Sequence, residues 1–137
     1  MDKKFWISGI AISILALSLD FIVHGLLLSP DYMAQAQLYR SEADQSAHAM
    51  WMIIAHLFYG FGLTWIYQRG VSAAAPMGQG LRFGLAVGLT FAVSNYLIYY
   101  AVQPLPGVLV GKQIIFEIIA NCILGVALAF LNKSARH

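Results

Sequence analysis

The sequence predicts an all-α membrane protein: a bundle of four transmembrane helices, both ends in the cytoplasm, with a short interfacial helix after the first span. Three observations lead there. Of 137 residues, 60% are hydrophobic and only 10% charged, against about 25% charged in soluble domains. The apolar residues gather in four long runs, each close to the roughly 20 residues that a bilayer crossing takes. The Lys and Arg residues cluster on alternate links.

The first span is expected over 5–28. Met1-Asp2-Lys3-Lys4 before an apolar run resembles a signal peptide, but the run is longer than a signal h-region and no Ala-x-Ala site ends it. It is therefore read as an uncleaved span. Ser29-Pro30-Asp31 should end it, because Pro30 cannot continue the hydrogen-bonding ladder. The same Ser-Pro pair suits the start of another helix, so 31–40 is expected to form a short helix at the membrane interface. Ser41 with Asp44 three residues on resembles a capping box that starts the second helix early.

The second span is expected over 48–67. A link with Gly70, Pro76, Gly78 and Gly80 follows over 68–80, then the third span over 81–101. Pro104-Leu105-Pro106-Gly107 makes a tight turn into the fourth span, over 108–131. Helices are required because lipid offers no partner to an unpaired backbone group. The runs are continuous, whereas a β-barrel needs alternating segments of about ten residues. The whole chain, 1–137, reads as a single membrane domain.

Orientation follows from the positive-inside rule. With the N-terminus in the cytoplasm, Lys3, Lys4, Arg69, Arg82, Lys133 and Arg136 fall inside, and only Arg40 and Lys112 fall outside. Trp6, Trp51, Trp65, Tyr67, Tyr99 and Tyr100 lie near span ends, where interfacial aromatics belong. The charge is weak, +2 overall, and forms no basic stripe, so nucleic acid is not an expected partner. The lone Cys122 permits no intrachain disulfide and no CxxC metal pair.

Each span carries a stripe of small and polar residues at helical spacing, the kind that packs helices in lipid. The stripes are Gly9, Ser13, Ala16, Asp20 and His24; His48, Met52, His56 and Tyr59; Gly80, Gly84 and Gly88 continuing through Ala92, Asn95 and Tyr99; and Gln113, Glu117, Asn121 and Gly125. They are expected to face inward in one compact bundle. The glycine series says close packing first, with a homodimer face as the other use of the motif.

Ionisable residues inside spans are costly and are functional candidates by default. Counting 1.5 Å per residue from the outer end of each span puts Asp20 at about 12 Å, His56 at about 12 Å and Glu117 at about 14 Å. The same rise puts Asn95 at about 9 Å and His24 at about 6 Å. A shared cluster in the outer half of the membrane is expected, with Asp20, His24, His56, Asn95, Glu117 and Asn121 as its binding or proton-relay residues.

Three chemistries fit. Asp20 and Glu117 could share a proton, since two close carboxylates resist double ionisation, with His56 or His24 relaying it. Asp20, His24, His56 and Glu117 could bind zinc, iron or manganese, although no His-Glu-x-x-His motif is present. His24 and His56 could ligate a haem, the weakest option because their depths differ. Met50 and Met52 near His48 suggest copper only faintly, since methionine in a membrane usually packs. Against all of these stands a purely structural use: Asp20 paired with His24 or Lys112, and Glu117 with His56.

The segment Tyr99-Tyr100-Ala101-Val102-Gln103-Pro104-Leu105-Pro106-Gly107, followed by Lys112-Gln113-Ile114-Ile115-Phe116-Glu117, resembles bacterial four-helix integral membrane proteins of uncharacterised function. The resemblance covers about a third of the chain and implies a layout without an activity. Small multidrug transporters differ: they resemble shorter chains with a lone glutamate early in the first span, whereas Asp20 lies deep in that span and a long 30–47 link follows it. The expected location is the bacterial inner membrane.

No catalytic motif is present, so the cofactor stays open. Three functions stay open as well. The first is a protein that binds or transports a small ligand, ion or proton through an outward-facing pocket, as a homodimer or in a larger membrane complex. The second is an accessory subunit whose polar cluster only stabilises packing, and the third a metal-dependent membrane enzyme. The orientation is open to direct test. In a Cys122→Ala background, a single cysteine placed in the 31–47 link should react with an impermeant thiol reagent in intact cells, and one at Lys3 should not. The reverse pattern overturns the assignment.

Overall fold

In the computed structural model, residues 2–72 and 75–133 are described. They are helical, with no strand among them. Four helices are long and apolar enough to cross a membrane: Lys3–Leu27, Ala49–Gly70, Pro76–Val102 and Gly107–Leu131. Large apolar side chains such as Ile14, Phe58 and Val108 cover the outside of the bundle, as lipid-facing surface requires. Arg136 and His137 lie outside the described residues.

The first span comprises α1 (Lys3–Asp20), capped by Asp2, whose carboxylate accepts from Phe5 N at 2.9 Å. It runs without a break into a π-helical stretch, Phe21–Leu27. The linking segment is more structured than a single interfacial helix. It holds α2 (Ser29–Met33) with Pro30 in its first turn, a 3₁₀ turn at Ala36–Leu38, and α3 (Glu42–Ala47). Ser41 does cap, accepting from Asp44 N at 3.3 Å, but α3 ends at Ala47. The second span, α4 (Ala49–Gly70), starts afresh after His48.

The third span begins five residues before its expected start. Pro76 occupies the first turn of α5 (Pro76–Gly88), where its missing N–H is not needed, and Gly78 and Gly80 lie within the helix. Composition marked 68–80 as a link, yet α4 continues to Gly70 and α5 starts at Pro76. A π-helical stretch, Leu89–Val93, joins α5 to α6 (Ser94–Val102), and α7 (Gly107–Leu131) is the fourth span.

Packing is tightest between α5 and α7 and between α1 and α4. A Cβ on Gly84 would collide with the Asn121 carbonyl oxygen and come within 2.6 Å of Cys122 Cα. One on Gly80 would come within 2.7 Å of Val126 Cα, and one on Gly88 within 2.9 Å of Ile118 Cα. The glycine series is thus occupied by α7 of the same chain, which corrects its alternative use as a homodimer face. On the other pair, a Cβ on Gly60 would meet Ser13 Cα at 2.7 Å.

The apolar core joins the two pairs through Ile12, Ala16, Leu63, Tyr67, Val87, Leu124, Leu128 and Ala129. Tyr67 is buried there against Phe83, at 5.1 Å between ring centroids. Beside this core, Asn132 ties three helix ends together. It donates to Ser8 Oγ at 3.3 Å and accepts from Gln68 Nε2 at 2.8 Å, while Lys4 Nζ donates to Lys133 O at 3.0 Å. The start of the first span and the end of the fourth therefore share one end of the bundle.

Gly84→Leu should destabilise the detergent-solubilised chain by on the order of 1–3 kcal/mol through overpacking. Gly78→Ala, whose new Cβ meets nothing within 4 Å, should stabilise it by up to about 1 kcal/mol. Thermal unfolding followed by circular dichroism reads both. A Gly84→Leu chain as stable as its parent contradicts the close α5–α7 contact.

Candidate functional site

The end of the bundle remote from the termini is polar. Asp20 and His24 enter from the first span, one turn apart on the same face. His56 comes from α4 and Glu117 from α7. Their side chains are 17–24% exposed. His24 Nε2 lies 3.1 Å from Glu117 Oε1 and 3.6 Å from Asp20 Oδ1. His56 Nε2 lies 3.9 Å from the other oxygen, Asp20 Oδ2. One ligand atom each from Asp20, His24 and Glu117 lies within 4.8 Å of the others, so the two carboxylates meet across the bundle.

The imidazoles are held from behind. His56 Nδ1 donates to the Met52 carbonyl at 2.7 Å, because a carbonyl can only accept. In the neutral ring this leaves the lone pair on Nε2, facing Asp20. His24 Nδ1 is 2.5 Å from the Tyr32 hydroxyl, which also accepts from Gln113 Nε2 at 3.0 Å. Burial pushes the Tyr32 phenol up to about 12, so it stays protonated at neutral pH. Gln113 is itself buried, and its Oε1 has no hydrogen-bond partner among the described residues.

Two expected members stand apart. Asn95 is exposed, and the neighbouring Tyr96 reaches inward instead, its hydroxyl 3.4 Å from His24 Nε2. The cause is the π-helical stretch Leu89–Val93. An i→i+5 turn holds one residue more than an α turn, so the inward register moves on by one residue. Asn121 is buried one turn from Glu117, where it donates to the Glu117 carbonyl at 2.8 Å and accepts from the Tyr59 hydroxyl. This pair forms a separate layer between the cluster and the apolar core.

The pairings proposed from sequence differ in two places. Lys112 does not reach Asp20; its Nζ lies 2.9 Å from both oxygens of Asp31. Glu117 pairs with His24 rather than His56. A haem between His24 and His56 is disfavoured because each Nε2 faces the Asp20 carboxylate. Met50 and Met52 are exposed, and His48 turns to Asp44 at 3.2 Å, so no copper set forms there. Tyr32 and Tyr96 were not singled out in the sequence. Tyr32 follows a bend whose geometry no local pattern encodes, and Tyr96 becomes visible only once the π stretch is known.

No protein family, curated protein or solved structure matches this chain.

The Tyr59–Asn121 layer is separable from the charged cluster. Tyr59→Phe leaves the buried Asn121 oxygen without its donor and should cost about 1–3 kcal/mol. Replacing both partners, as Tyr59→Phe with Asn121→Leu, should cost less than the sum of the single changes. Strict additivity in a double-mutant cycle measured by thermal unfolding would show that the two side chains do not interact.

Proposed function

We propose that the chain is an integral membrane protein that binds a small cation in the polar half of its bundle, with both termini in the cytoplasm and the site nearer the outer face. One observation carries this reading. Two carboxylates, Asp20 and Glu117, converge within the spans, and among the described residues their ion-pair partners are histidines alone. The nearby cation, Lys112, is committed to Asp31. Charge placed in hydrocarbon without compensation is expensive, and a bound cation supplies that compensation.

The packing supports the same reading. The larger apolar core lies towards the termini, and a second one of Val23, Leu28 and Leu109, with Tyr32 and Phe116 against it, packs the other end, so each end has apolar packing of its own beside the cluster. Both π-helical stretches, Phe21–Leu27 and Leu89–Val93, border the cluster, and such stretches often mark functional positions. The orientation rests on the Lys and Arg distribution. Transport, dimerisation and the accessory-subunit role are further uses of the same architecture. The last of these is favoured by one fact: the cluster also ties three spans together.

Glu117→Gln keeps the size and packing of the side chain and removes its charge. Equilibrium dialysis of the purified full chain against a panel of mono- and divalent cations should show binding that falls at least tenfold in this variant, with the folded yield unchanged. If no cation of the panel binds the parent chain, the cation reading fails. If Glu117→Gln abolishes folding while the parent binds nothing, the accessory-subunit role takes its place.

A further inference from the structure

We infer that the cation is a divalent transition metal of the zinc type, held by Asp20, His24 and Glu117, whose ligand atoms lie within 4.8 Å of one another; this rests on the cation-binding reading above. The donor set comes first. One imidazole and two carboxylates from two spans suit zinc or ferrous iron, whereas magnesium and calcium prefer oxygen ligands alone. The charge agrees, since one divalent ion neutralises both carboxylates in a single step.

The spacing agrees as well. Zinc sits about 2.0–2.1 Å from nitrogen or oxygen, so two ligand atoms of a tetrahedral site stand about 3.3 Å apart. The observed approaches are 3.1 Å for His24–Glu117 and 3.6 Å for His24–Asp20. The second is too long for a hydrogen bond. It suits an edge of a coordination shell that contracts slightly when filled.

The outer contacts complete the match. A metal-bound histidine usually donates its other ring N–H to a fixed acceptor, which sets the tautomer. His24 Nδ1 has the Tyr32 hydroxyl at 2.5 Å, steadied by the buried Gln113, while His56, its Nδ1 on the Met52 carbonyl at 2.7 Å, stands behind Asp20 at 3.9 Å. Both rings are thus set with Nε2 toward the carboxylates. Tyr32 is a positioning residue in this arrangement: it orients His24 and does not itself bind the ion.

The test uses the purified full chain with zinc alone, then with cobalt(II) as a visible probe of coordination geometry. One zinc per chain should bind, magnesium or calcium in large excess should not displace it, and cobalt should give the intense visible bands of a tetrahedral site. His24→Gln should weaken zinc at least tenfold. Tyr32→Phe, which keeps the ring and drops the hydroxyl, should weaken it 10–100-fold, the usual effect of an outer-shell change. Circular dichroism confirms that each variant is folded, and the parent chain's own zinc stoichiometry and cobalt spectrum stand even if one is not. Displacement by magnesium or calcium at comparable concentration, or octahedral cobalt, overturns the zinc assignment while leaving cation binding intact. No binding of zinc or of any other cation overturns both.

Discussion

Gly80, Gly84 and Gly88 stand one turn apart on α5, and α7 lies against them with backbone nearly on backbone. In lipid there is no hydrophobic force to push helices together, so close van der Waals contact has to do that work. Here it fixes the rotation of α7. Asn121 and Gly125 are held against the glycines, and Glu117, one turn further along, is directed into the bundle by the same register. The pairing of α1 with α4, through Gly60 on Ser13, sets Asp20 and His24 in the same way. The charged cluster exists because two tight helix pairs are joined with their polar faces inward.

The result is a molecule with two different ends. Towards the termini, the spaces between helices are filled by Ile12, Leu63, Leu124 and Leu128. Towards the other end, α6 contains no buried residue, and carboxylates, imidazoles and phenols share the interior with the small apolar cluster of Val23, Leu28 and Leu109. The buried Tyr59–Asn121 pair separates the two regions. Polar groups in such a setting must satisfy one another, and the histidines do this by spending Nδ1 on Met52 O or Tyr32 and turning Nε2 to the carboxylates.

Much of this was legible in the sequence. The four spans follow from run length, and the third deviates at its start because Pro76, read as part of the 68–80 link, serves as a first-turn residue. The similar depth of Asp20, His56 and Glu117, with His24 one turn further out, follows from helical rise counted in opposite directions. Asn95 was misplaced because a fixed helical period was carried through Leu89–Val93, where the chain winds wider. Tyr32 could not be placed from sequence at all. Its position depends on the bend at Leu28, which is completely buried, and on the Asp31–Lys112 pair, both of which join parts of the chain far apart in sequence.

The Asn132 junction with Ser8 and Gln68 fastens three helix ends at one extremity of the bundle. Glu117 lies 15 residues away along α7, a lever arm of about 22 Å at the helical rise. A tilt of about 5° about that pivot would carry the carboxylate roughly 2 Å while barely disturbing the junction, by the same rise. A few degrees of helix rocking is therefore amplified into a change comparable to a metal–ligand bond length, at the one level of the molecule where such a change alters what can be held.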